Sequence, residues 1–340
     1  MSQDEELKSH GVKVIKDFIN ESKHSTKRKE QNNNDLKIYR GLGNGEYTEL
    51  PSLLVKANSM IKESGPDALF SVKDIDKFEK QINSFILKRD PKETTDKSQH
   101  HGIPTLSLDW TENPYVALYF AYTSFINDST AKILSRQKII TTLEDIRNTK
   151  AKVLITSILD LNEKMIELSK ETPIENDFIF LDCYRNHQDN VRMVHQGGWL
   201  STLPISSYPF GTIDSCNGKS NKSKKLFSAP QLAPKNVILD TDPFAIIYAF
   251  RQLWNNNITT RTLFPDDWQT KSINLAANFE ILMSSGAIEH RGDRVGGHSV
   301  FYKGASTDLN YRMHDYLIKY ESEITDFAAQ LYENPNQGGK

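Results

Sequence analysis

Apolar positions near the start of the chain recur at helical spacing. Leu7, Val14, Ile15, Phe18 and Ile19 predict an amphipathic helix over residues 4 to 20. A polar, asparagine-rich linker is expected over 21 to 35. Ile38 and Tyr39 then mark a short strand that Gly41 ends. Phe78, Ile82, Phe85 and Ile86 fall on one face of a second helix over 76 to 88. Pro114 stands where a first helical residue belongs, with Asn113 or Thr111 to cap it, and residues 115 to 122 are apolar or aromatic all round. That pattern predicts a buried helix. KVLITSILDL (152 to 161), DFIFLDC (177 to 183) and NVRMVHQGGWLSTLPI (190 to 205) read as strands, the last with a turn or bulge at Gly197-Gly198. DPFAIIYAFRQLW (242 to 254) opens a helix with an Asp cap and a Pro at the first helical position, and a further helix runs from near Asp266 to Gly286. A final helix is predicted over about 307 to 332. Its stripe of Leu309, Met313, Tyr316, Tyr320, Ile324, Phe327 and Leu331 suits docking on another helix, in the same chain or in a partner copy. Residues 333 to 340 read as a disordered tail.

Helices, then strands, then helices argue for an α+β fold rather than a doubly wound parallel sheet. With 340 residues the chain can bury one large core, and Lys+Arg 42 against Asp+Glu 44 leaves a net charge of −2. So balanced a charge selects neither nucleic acid nor membrane as a partner. Basic residues do gather in KHSTKRKE (23 to 30) and KSNKSKK (219 to 225), which read first as solvated loops and second as contacts for phosphate. The two cysteines, Cys183 and Cys216, follow no pattern; a disulfide stays open, but a reducing cytosol fits them better. The acidic start MSQDEELKSH lacks the apolar core of a signal peptide, and no stretch approaches membrane-spanning length. A soluble, cytoplasmic protein is expected.

Common site motifs are absent. No phosphate-binding loop ends in Gly-Lys-Ser/Thr, and no Gly-x-Gly-x-x-Gly follows a strand. His100, His101, His187 and His195 lack metal-ligand spacing, so no metal is expected. What remains is a set of polar residues at element ends. Arg40 ends a strand, where a fixed guanidinium grips phosphate or ribose, although a surface ion pair is the commoner fate of an arginine. Thr111 stands at the start of the buried helix, where anions bind, and is on local grounds an ordinary cap. Gln196 closes the stretch VRMVH before two glycines that let a ligand approach the backbone. The paired His100 and His101, followed by Gly and Pro, are expected to line a pocket in a turn.

These pieces resemble the FRG-domain family, named for a Phe-Arg-Gly motif that stands here as Tyr39-Arg40-Gly41. YTELPSLL (47 to 54), QHHGIPTLSLDWT (99 to 111), NPYVALYFA (113 to 121), VRMVHQGGWL (191 to 200) and ITTRTLFPD (258 to 266) resemble further family segments in the same order. Ser107 departs from a more usual Leu. The resemblance implies an FRG domain over residues 1 to 275, with 276 to 332 as a helical extension.

A second resemblance is to ADP-ribosyltransferases built on an early Arg, a Ser/Thr-bearing strand and a late Glu. It implies a split mixed or antiparallel β core flanked by helices. It further implies NAD as substrate, held by Tyr39, Arg40, Gly41, His100 and Thr111, with Arg40, His101, Thr111 and Gln196 as the catalytic set. No metal is implied. The reaction would be ADP-ribosyl transfer to a protein or nucleic acid acceptor, or NAD hydrolysis. Gln196 departs from the Glu of that pattern, and an amide offers a hydrogen bond where a carboxylate offers charge to a cationic transition state. Asp109, Glu112 or Asp182 stand as substitutes. The alternative is a non-catalytic nucleotide or nucleic-acid binding module.

Overall fold

The computed structural model describes residues 10–27, 36–47, 49–63, 106–135, 139–171, 180–183, 191–203, 208–213, 224–230, 232 and 234–285. The helix expected at 76 to 88, the QHHGIPT stretch with His100 and His101, His187, Cys216, the helix at 307 to 332 and the tail lie outside them.

Helix α1 spans His10–Lys27 and buries Val12, Ile15, Phe18 and Ile19. It runs through the first part of the expected linker. Ser22 donates to the Phe18 carbonyl at 2.8 Å and Glu21 pairs with Lys235 at 2.5 Å, so the polar turn is held by its own contacts. Strand β1 spans Lys37–Leu42. Gly41 lies within the strand rather than ending it, for a reason set by the packing described below. Helix α2, Ser52–Glu63, buries Leu53, Leu54 and Ala57. Strand β2 is Ser107–Thr111, and helix α3 is Pro114–Leu134. The Asn113 side chain caps α3 by accepting from the Tyr115 N–H at 3.0 Å.

Helix α4 spans Ile139–Asn148, strand β3 Ala151–Ser157 and helix α5 Ile158–Glu171. The strand expected over 152 to 161 therefore stops at Ser157, whose hydroxyl accepts from the Asp160 N–H at 3.0 Å and caps α5. Strand β4 is Phe180–Cys183. A second correction follows. Val191–Gln196 forms helix α6, not a strand, and Gly197 at φ 55° turns the chain into strand β5, Gly198–Thr202. Strands β6 (Phe210–Ile213) and β7 (Lys224–Phe227) pair as a separate ribbon. Strand β8 (Lys235–Leu239) leads to helix α7 (Pro243–Asn255), where Asp242 accepts from the Ala245 N–H as the cap. A short helix α8 (Thr260–Leu263) carries a reciprocal Thr259/Thr262 cap, and helix α9 spans Trp268–Ser284.

The molecule is α+β. Its main sheet has six strands in the order β4-β5-β2-β1-β3-β8, every neighbouring pair antiparallel. One face carries α3, flanked by α1, α7 and α9, with Tyr39, Val153, Ile155, Tyr122, Phe125, Phe250 and Phe279 in its core. The other face buries Ile38, Leu42, Leu108, Trp110, Leu154, Trp199 and Tyr208 beneath α2 and the ribbon.

Two features of the sheet position the site. First, α3 lies unusually close on β1. A Cβ at Gly41 would sit 1.9 Å from the Ala117 carbonyl oxygen, and one at Gly43 would sit 2.4 Å from the Phe125 nitrogen. Only glycine fits at either place. Second, β1 pairs with β3 over six register pairs and β2 with β5 over five, but β1 and β2 meet at the single pair Tyr39↔Thr111. The sheet is thus split into β4-β5-β2 and β1-β3-β8, joined at one seam.

Candidate functional site

Arg40 occupies the seam. Alternation along β1 places its side chain with Ile38 and Leu42 on the face away from α3. Its Nη1 donates to the Asp109 carbonyl at 2.7 Å and lies 3.9 Å from the Asp109 carboxylate, bridging the two halves where backbone pairing has lapsed. The guanidinium is 18% exposed, and the Asp109 carboxylate is 63% exposed. Burial pulls the guanidinium pKa below the usual arginine range, while Asp109, Glu49 and the Tyr208 phenol act in the opposite sense. Burial likewise drives the Tyr208 phenol upward, with Arg40 opposing it. Among the described residues the buried Arg40 Nε–H has no hydrogen-bond partner. A buried donor left unmet is costly, and such groups mark strain or function.

Thr111 and Gln196 come together on the opposite face. The Thr111 hydroxyl donates to the Gln196 carbonyl at 2.5 Å and accepts from the Asn113 N–H at 3.0 Å. The Gln196 amide donates to the Leu263 carbonyl at 3.1 Å. Both side chains therefore tie α6 to the start of α3 and to α8. Glu112 reinforces the joint, its N–H donating to the Gly197 carbonyl at 3.0 Å. Tyr39 packs edge-on against Phe18 with ring centroids 6.1 Å apart, in the α3 core. Gly41 faces α3, as above.

Of the residues singled out from the sequence, then, Thr111 and Gln196 are joined, and Arg40 stands across the sheet from them. His100 and His101 lie outside the described residues. Sequence reasoning missed Lys152 and Tyr208, which share the Arg40 face, and Glu49, whose charge acts on Arg40. For Lys152 a signal existed: a lysine inside the apolar strand KVLITS. The carboxylate beside Arg40 is Asp109. Glu112 stands against Gly197, and Asp182 lies opposite Leu200 on the edge strand β4.

A second cluster braces the C-terminal helices. Arg192 of α6 pairs with Asp266 at 2.6 Å and lies over the Phe264 ring, with its centroid 5.6 Å away, while Lys271 covers that ring at 4.8 Å. Among the described residues no group of three or more metal-binding side chains gathers, and no helix is long and apolar enough to cross a membrane.

Comparison with curated proteins and with solved structures returns no match. Residues 35–129, from the start of β1 through most of α3, match the family model described as FRG domain.

Proposed function

With an FRG domain over residues 35–129 as the premise, we propose that the protein binds NAD or a related nucleotide at the β1–β2 seam and transfers its ADP-ribosyl group to a macromolecular acceptor. One observation carries the reading. Arg40, the arginine of the family motif, is held in the seam with a buried Nε–H that no described residue satisfies, and a carboxylate lies 3.9 Å from its Nη1. Guanidinium recognises the ligand's anionic or ribose oxygens. Asp109 supplies negative charge where positive charge develops on the ribose as nicotinamide leaves. Thr111 and Gln196 act as positioning residues, since their polar atoms are engaged with the main chain.

Purified protein, labelled NAD and a cell lysate test this. Wild type is expected to release nicotinamide and label an acceptor. Arg40→Ala should abolish NAD binding while costing only about 1 kcal/mol of stability, the worth of one hydrogen bond to Asp109. Asp109→Asn should retain binding and lose nicotinamide release by roughly a hundredfold. Absence of both binding and release in wild type sinks the proposal.

A second reading, a non-catalytic binding module, draws on the engagement of the Thr111 hydroxyl and the Gln196 amide by main-chain carbonyls. It expects nucleotide binding without nicotinamide release, and salt-sensitive binding if the ligand is a nucleic acid.

A further inference from the structure

Arg40 is not the only cation sunk into its face of the sheet. Lys152 of β3 stands opposite Leu42, and Arg40 stands opposite Leu154, so the two side chains lie diagonally on one face. Diagonal neighbours across antiparallel strands are about 7 Å apart at Cβ, within joint reach of two long side chains. Lys152 is 7% exposed, in a wall otherwise made of Leu42, Leu154 and their neighbours. Among the described residues Glu49, on the loop after β1, is the charge that acts on both cations, and burial draws the Lys152 ammonium below the usual lysine range against that attraction.

Two like charges on one face, with Asp109 beside Arg40 alone and Glu49 acting on both, give the packing nothing that an apolar residue at position 152 would not. Replacing a lysine at a strand position facing Leu42 and Ile238 by an apolar residue is the cheap solution for packing alone. The pair makes chemical sense when both ends meet one ligand carrying two linked anionic groups. A guanidinium binds one phosphoryl oxygen pair, and an ammonium acts as a point charge on the next.

Resting on the nucleotide reading of Arg40, we infer that Lys152 and Arg40 together form a diphosphate-binding site on the face of the sheet away from α3. The diphosphate of the ligand, rather than its ribose, is then what Arg40 holds. Asp109, on the seam beyond Arg40, is left to face the ribose and nicotinamide end.

Calorimetric titration of the full chain with inorganic pyrophosphate, ADP-ribose and orthophosphate at fixed ionic strength tests this. Wild type is expected to bind both diphosphates and to bind orthophosphate roughly tenfold more weakly. Lys152→Met should weaken both diphosphates by roughly tenfold or more and raise the melting temperature of the ligand-free protein, because a buried charge is exchanged for an apolar side chain of similar length. Lys152→Arg should bind within a few-fold of wild type. The assignment is overturned if Lys152→Met binds pyrophosphate and ADP-ribose as wild type does, if wild type binds neither, or if Lys152→Met melts below wild type. NAD bound equally by wild type and Lys152→Met removes Lys152 and leaves the Arg40 reading intact. Diphosphate binding that depends on Lys152, without NAD binding, keeps the site and removes the NAD reading.

Discussion

At the scale of single residues, the Tyr-Arg-Gly motif divides its work between two faces. Tyr39 and Gly41 serve the α3 core, and Arg40 serves the seam. The glycine is the most constrained of the three, because a methyl group there meets a helix backbone rather than a movable side chain. Gly41→Ala is therefore expected to cost about 3 kcal/mol or more and to lower the urea midpoint without changing nucleotide contacts directly. A near-neutral Gly41→Ala in denaturant titration would show that α3 can lift away from β1. The sequence made Gly41 look like a strand terminator because local rules see only the chain's own propensities. The reason for it lies in Ala117 and Ala121, far along the chain. Arg40 stood out through its place in the Tyr-Arg-Gly motif, whereas on local grounds a surface ion pair was its commoner fate. Of the two caps the sequence offered, Asn113 takes the role; the Thr111 hydroxyl accepts from the Asn113 N–H instead, and its bond to Gln196 could not be read from either segment alone.

Whole elements were most readable where two local signals agreed. Helices α3 and α7 carry both a side-chain cap and a proline at their first position, and both form. Helix α6 was misread because VRMVH places Val191, Met193 and His195 at every second position, which imitates a strand. Tertiary contacts decide the matter: Arg192 to Asp266, the Gln196 amide to Leu263, and the left-handed Gly197 that stops the helix. Helix α5 had a readable start, a serine three residues before an aspartate, that lay hidden inside an apolar run. Elements also meet through charge. Asp240, just after β8, receives His10 of α1 at 2.8 Å and Lys150 from just before β3, while Tyr122 of α3 donates to its main-chain carbonyl at 2.9 Å. Burial by itself would raise the Asp240 carboxyl, but hydrogen bonds and charge from His10 and Lys150 more than reverse this and hold it below its ordinary value of 3.8. A depressed carboxylate contributes stability that is complete above the unfolded-state value and is lost as pH falls through the lower folded-state value. Asp240→Asn should thus cost about 1 to 2 kcal/mol at neutral pH and lose less stability than wild type as pH drops below about 4. Parallel stability-versus-pH curves for the two proteins would refute the linkage.

For the molecule as a whole, the α+β class followed from the order of elements, whereas the seam did not, because nothing in the β1 or β2 sequence announces that they will pair at one position only. Long ladders hold each half of the sheet internally, whereas among the described residues backbone pairing between the halves is reduced to one bridge, supplemented by the Arg40 contact to Asp109, the span of α3 across β1, β2 and β3, and the shared core beneath α2 and the ribbon. A structure so joined has a mechanical weak axis. Load applied across the strands pulls on a row of ladder bonds everywhere except at the seam, where it falls on a single bridge. Tweezers attached through cysteines introduced at Val194 and Ile238, both exposed and on opposite halves, with Cys183 and Cys216 replaced by serine, should record an early yield that leaves each half folded, followed by separate rupture of the two. Simultaneous loss of all structure in one event would mean that α3, rather than the sheet, bears the load between them.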